Sequence, residues 1–150
     1  MCPHHARPQG TDSTIGIGKL KSTGAGTPAA EDRTSKVTSP LILALMEAGA
    51  IPMCKTNVPQ IMYAWECQNP VYGRTTCPSS ELFTPGGSSG GESALIGAGG
   101  SMFGIGSDIG GSCRIPAHMA GCSGIKPTKY RLTGASASPA AVFGAQNALA

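Results

Sequence analysis

Two serines in this 150-residue chain stand where a hydroxyl could do chemistry. Ser88 lies inside GGSSGG (Gly86–Gly91), and Ser112 closes DIGGS (Asp108–Ser112), 24 residues further on. Acyl transfer by a hydroxyl needs a nucleophile, a base to take its proton, and backbone N–H groups to hold the oxyanion. Ser112 follows Ile109, Gly110 and Gly111, and glycines there let successive N–H groups point at one spot because no Cβ obstructs the approach. A phosphate site is the first rival reading. Gly104, Gly106 and Gly110 give G-x-G-x-x-x-G, one residue off the dinucleotide fingerprint, with no acidic residue at the expected distance beyond it. GGSSGGES also lacks the lysine of a P-loop. A flexible linker is the second rival, but a linker joins two self-sufficient units, and these glycines run straight into an apolar, small-residue stretch.

The elements that must position the two loops follow from the surrounding pattern. LILALMEA is helical: Ser39 offers an N-cap, Pro40 suits the first helical position, and Gly49 ends the run. AIPMC (Ala50–Cys54) then reads as a short buried strand. From Lys55 to Pro85 the prolines at 59, 70, 78 and 85 exclude long regular elements. ESALIGAG (Glu92–Gly99) reads as a helix and MFGIGSD (Met102–Asp108) as a strand. IPAHMAG (Ile115–Gly121) reads as a short helix and CSGIKPT (Cys122–Thr128) as a strand. Alternating helices and strands imply parallel neighbours joined by crossovers, an α/β architecture. Residues 1–38 are loop-rich, with TGAGTPAAEDRTSK (Thr23–Lys36) as a surface loop, and residues 131–150 are weakly patterned.

Composition narrows the class. A net charge of +3 is too mild to argue for nucleic acid or an anionic membrane. Charged residues are only 13%, and 22 glycines with 12 prolines outnumber the 25 Leu, Ile, Val and Phe. That balance suits a piece of a larger α/β domain better than a complete one. The first residues, MCPHHARPQGTDST, lack the apolar run of a secretory signal, and Leu41–Met53 is too short to span a bilayer, so an intracellular setting is expected. The six cysteines form no C-x-x-C and read as reduced, mostly buried thiols. Cys2, His4 and His5 lack the spacing of a structural zinc site, and no metal or other cofactor is expected.

The run PGGSSGGESALIGAGGSMFGIGSDIGGSCRIPAHMAGCSGIKPT (Pro85–Thr128) resembles the amidase signature family, and within it most closely the fatty-acid amide hydrolases. KTNVPQIMYAWECQNPVYGRTTCP (Lys55–Pro78) resembles the same branch. GTDSTIG (Gly10–Gly16) and Arg131–Ala150 do so more faintly. The resemblance implies a partial amidase-signature domain, a mixed or parallel sheet flanked by helices and incomplete at both ends, with its strongest match over residues 50–130. It implies hydrolysis of carboxylic amides, fatty-acid amides among them, through an acyl-serine intermediate. By resemblance Ser112 is the nucleophile, and Ser88, after a cis peptide bond from Gly87, relays the proton. Ile109, Gly110, Gly111 and Ser112 supply the oxyanion backbone, and Ser89, Asp108 and Arg114 support the site. Read from the residues alone, Ser89 is equally a helix cap, and Asp108 with Arg114 equally an ordinary ion pair that orients the loop.

The family's base is a neutral lysine on a strand upstream of the element that matches GTDSTIG, and this chain has no lysine there. Lys19, Lys21 and Lys36 follow GTDSTIG in the polar loop, without the apolar setting that lowers an amine pKa by burial. Lys55 reads as a strand-end residue touching backbone or solvent. Cys113, where the family has an aliphatic residue, should pack as a small apolar side chain. The expected partner is a small-molecule amide, with no nucleic acid and no membrane segment encoded. Two other classes remain beside the enzyme: a non-catalytic remnant that binds a partner, and a nucleotide-binding module.

Overall fold

The structure is a computed structural model that describes residues 38–128, residue 131 and the strand 140–144. Residues 1–37, which hold Cys2, His4, His5, GTDSTIG and three of the lysines, lie outside the described residues, as do most of the last twenty.

Helix α1 spans Pro40–Glu47, with Ser39 at the N-cap position and Pro40 opening the first turn. The Ser39 side chain makes no capping bond and is buried instead. Gly49, at φ +94°, ends the helix: its N–H donates to Met46 C=O, and that of Ala50 donates to Leu45 C=O. This double bond pattern is the left-handed C-terminal cap that glycine adopts without a Cβ penalty. Helix α2, Gly90–Gly97, stops in the same way at Gly99.

The strand expected at Ala50–Cys54 is not formed. Ile51 is 84% and Met53 64% exposed, and the segment has no ladder partner among the described residues. A short apolar run suggests a buried strand, but only a paired neighbour satisfies its N–H and C=O groups, and Pro52 offers no N–H. From Lys55 to Pro85 the chain is irregular, as its prolines require. It holds a 3-10 turn at Gln60–Met62 and a small antiparallel hairpin of β1, Gln68–Asn69, and β2, Gly73–Arg74.

Strand β3, Phe103–Ser107, helix α3, Arg114–Ala120, and strand β4, Ser123–Ile125, fall where the sequence puts them. The expected direct parallel pairing does not. Strand β5, Ala140–Gly144, lies between β3 and β4 and is antiparallel to both, in the order β3-β5-β4. The crossover through α3 still makes β3 and β4 point the same way, and Ile105, Val142 and Ile125 share one register row.

Two small apolar clusters hold the layers. Ile96 of α2 packs with Cys113, Ala117 and Cys122 around α3, and Ile42 of α1 packs on Ile105 of β3. Cys113 thus packs as the small apolar side chain expected of it. All five cysteines among the described residues are free thiols, four of them buried. No helix among the described residues is long and apolar enough to cross a membrane.

Candidate active site

The loop from Asp108 to Arg114 is organised around one carboxylate. Asp108 is 1% exposed. Its Oδ1 accepts from Gly111 N–H at 2.8 Å and Arg114 Nη2 at 3.0 Å. Its Oδ2 accepts from Arg114 Nε at 2.9 Å, Cys113 N–H at 3.2 Å and Arg114 N–H at 3.3 Å. Burial pushes this carboxyl up, but the Arg114 guanidinium and the three backbone donors outweigh it and hold the group at about 2. Asp108 and Arg114 therefore form the ion pair that the residues suggested, and the same carboxylate also coils the whole loop.

That coil has a consequence for the oxyanion donors. Gly111, named among them, has its N–H committed to Asp108 and a φ of +110°, so it serves the turn. The N–H groups of Ile109, Gly110 and Ser112 meet no acceptor among the described residues. Ile109 and Gly110 are exposed and Ser112 is half-buried. Three main-chain donors and one serine hydroxyl thus stand at the open face of one tight loop.

The second glycine-rich loop lies against the first. The Gly87–Ser88 peptide bond is cis. Ser88 is buried, and its hydroxyl has no hydrogen-bond partner among the described residues. Ser89 N–H donates to Ser112 C=O at 3.0 Å, joining the two loops through the main chain. Ser89 occupies the N-cap position of α2 but makes no side-chain cap bond. Its Oγ lies 3.5 Å from Ser107 C=O and 3.7 Å from Cys113 Sγ. The capping reading is set aside: this side chain faces the end of β3, the strand that leads into the Asp108–Arg114 loop. Burial pushes the Cys113 thiol well above its ordinary range, so the sulfur beside Ser112 is an inert packing group.

Several residues escape sequence reasoning. Glu92, at the start of α2, is buried and accepts a 2.7 Å hydrogen bond from Thr56 Oγ1. Burial raises its carboxyl to about 7, against the lowering effect of that bond. Gly104 leaves the room it needs, because a Cβ there would overlap Glu92 Oε1. Glu92 also borders an apolar cavity of about 350 Å³ walled by α1, residues 49–54 and β3. Asn57 and Asn69 are buried amides in the irregular segment, and Lys55 is buried too, which sets aside the solvent-contacting half of its expected placement. A lone Glu or Asn in sequence carries no sign that it will be buried; only Gly104 opposite Glu92 leaves a trace. Among the described residues no group of His, Cys, Asp and Glu could hold a metal ion.

A small α/β layer that presents two facing glycine-serine loops, one containing a non-proline cis bond, is a specific arrangement. The Amidase family profile matches residues 17–147, and the chain belongs to that family. Among its relatives, fatty-acid amide hydrolase 1 of Sus scrofa is 47% identical over 125 residues, 83% of this chain and 20% of that protein. Fatty acid amide hydrolase 1 of Caenorhabditis elegans is 60% identical over 83 residues, 55% of this chain and 14% of that protein. A solved fatty acid amide hydrolase superposes with a TM-score of 0.83 at 30% identity, over 92% of this chain and 26% of its own. A bacterial aryl acylamidase of the amidase signature enzymes gives 0.82 at 27%, over 89% and 30%. The fold is therefore the α/β fold of amidase-signature enzymes. The chain spans 14–20% of the length of these two curated relatives.

Proposed function

We propose that this chain carries the nucleophile portion of an amide hydrolase that cleaves small carboxylic amides, fatty-acid amides among them. Ser112 Oγ attacks the amide carbonyl carbon. Its proton passes to Ser88 Oγ as Ser88 gives its own proton to a neutral amine. The N–H groups of Ile109, Gly110 and Ser112 receive the oxyanion, which places the negative charge on preorganised dipoles. Collapse of the tetrahedral intermediate breaks the C–N bond, and the leaving amine takes up the relayed proton. Water then hydrolyses the acyl-serine ester, releasing the carboxylic acid and restoring Ser112.

The observation that carries this reading is the 3.0 Å bond from Ser89 N–H to Ser112 C=O, which sets the two serine loops side by side. The buried Ser88 hydroxyl, without a partner among the described residues, supports the relay role. Such a group is costly to leave unpaired, by about 1–3 kcal/mol, and an amine from outside the described residues fits it. Asp108 and Arg114 hold the loop and stay out of the bond-making steps.

A fluorophosphonate probe on the full-length protein tests the assignment. The expected adduct maps to the peptide that contains Ser112, and Ser112→Ala abolishes both labelling and amide turnover. Ser88→Ala should lower kcat by about 10²–10⁴. An adduct on another serine, or turnover that survives Ser112→Ala, sinks the proposal.

A further inference from the structure

The GGSSGG loop is braced from behind by a buried amide that touches neither serine. The Asn57 side chain uses all its hydrogen-bonding capacity. Its Nδ2 donates to Thr75 Oγ1 at 3.0 Å and Gly73 C=O at 3.2 Å. Its Oδ1 accepts from Asn69 Nδ2 at 2.6 Å and Val58 N–H at 3.0 Å. Asn69 is anchored in turn: its Nδ2 also donates to Val58 C=O at 2.7 Å, and its Oδ1 accepts from the N–H groups of Tyr72 and Val71 at 2.7 and 3.0 Å. The two amides pin residues 57–75 into one unit although that stretch has almost no regular structure. A fully satisfied buried network of this kind rigidifies what it joins.

The unit meets the first turn of α2 through the Asn57 main chain. Asn57 C=O accepts from Gly91 N–H at 3.0 Å and from Cys67 Sγ at 3.3 Å. The fit is close: a Cβ on Gly91 would lie 2.5 Å from Asn57 O and closer still to its nitrogen, and one on Gly90 would lie 2.6 Å from Cys67 Cβ. Thr56, the preceding residue, binds Glu92 at 2.7 Å. Gly90, Gly91 and Glu92 are thus held by Cys67, Asn57 and Thr56 directly after the Ser88–Ser89 pair.

We propose that Asn57, seated by Asn69, is a positioning residue for the hydrolysis: it fixes the first turn of α2 and, through it, the aim of Ser88 at Ser112. The inference rests on the reading of Ser88 and Ser112 above. A misplacement near 1 Å at a distance from the chemistry can cost on the order of a hundredfold in rate. The Asn57 side chain is buried with all its hydrogen bonds made to the protein, so its loss should fall on kcat rather than on KM.

The test is Asn57→Ala in the full-length protein, with kcat, KM, the rate of fluorophosphonate labelling and thermal unfolding measured together. The expected result is a ten- to hundredfold fall in kcat and in labelling rate, with KM within about threefold and the protein folded at the assay temperature. Asn69→Ala, which leaves the Asn57 main chain in place but loosens its side chain, should give the same pattern at smaller size. It decides the matter on the same criteria if Asn57→Ala does not fold. A folded variant with unchanged kcat and labelling rate, or losses that track only the folded fraction, overturns the proposal. Failure of the serine assignment is seen separately, as turnover that persists in Ser112→Ala.

Discussion

Asp108 and Glu92 are two buried carboxyls a short distance apart in sequence, and the fold treats them oppositely. Asp108 receives five hydrogen bonds and is held at about 2, below its ordinary 3.8. Its contribution to stability is present above pH 3.8 and is lost as pH falls toward 2. Glu92 has one hydroxyl donor and is raised from 4.5 to about 7. Between those values the folded chain binds the proton that the unfolded chain releases, so stability falls as pH rises through that window, by roughly 3 kcal/mol in all. These two groups alone place a stability maximum near about pH 4. Urea unfolding between pH 3 and 8 checks this. Glu92→Gln should flatten the decline from pH 4.5 to 7 and leave the acid limb intact. Asp108→Asn should remove the acid limb and cost on the order of 3 kcal/mol at neutral pH, since it unpairs Arg114 and weakens the bonds that coil the Asp108–Arg114 loop.

At the scale of elements, the stretch from Lys55 to Pro85 does the positioning without helix or sheet of any length. Its 3-10 turn places Ile61 at φ +50° and Met62 at φ +57°. A left-handed conformation costs a β-branched residue about 1–2 kcal/mol. Ile61, 64% exposed, gives up little packing when replaced. Ile61→Gly should therefore raise stability by about 0.5–1 kcal/mol after the entropy of a freer unfolded chain is deducted, read as a higher denaturation midpoint. The helices α1, α2 and α3 and strands β3 and β4 were legible because caps, prolines and short apolar runs are local signals. Strand β5 was not, because AAVFG has too few large side chains to show a period. Segment 50–54 failed the other way: a short apolar run can be a buried strand, but pairing is not a local property. The family was legible in the motif around Ser88 and Ser112, and the Asp108–Arg114 pair in the two charges flanking that loop. Asn57, Asn69 and Glu92 were not, since their burial is decided by what folds over them. Gly111 was assigned as a donor because its identity was visible and the orientation of its N–H was not.

Among the described residues the buried apolar clusters are small, and several large apolar side chains lie on the surface. Ile51, Tyr63, Leu82, Met102 and Ile109 are each more than 80% exposed. Exposed apolar side chains of this size offer a hydrophobic dye places to bind. The 150-residue chain is therefore expected to bind the dye ANS strongly at neutral pH. Weak dye binding would show that these side chains are covered in solution.

One neighbour of the cis peptide bond has an optical consequence. A Cβ at Gly87 would lie 2.6 Å from Ala64 O and 3.1 Å from the main chain of Trp65. Trp65 is the chain's single tryptophan, and it is 62% exposed. The indole is thus an intrinsic fluorophore attached to the backbone that abuts Gly87, with much of its ring in water. Its emission colour and quenching by small solutes report directly on whether that loop is seated, with no label added and no other indole in the chain to blur the signal.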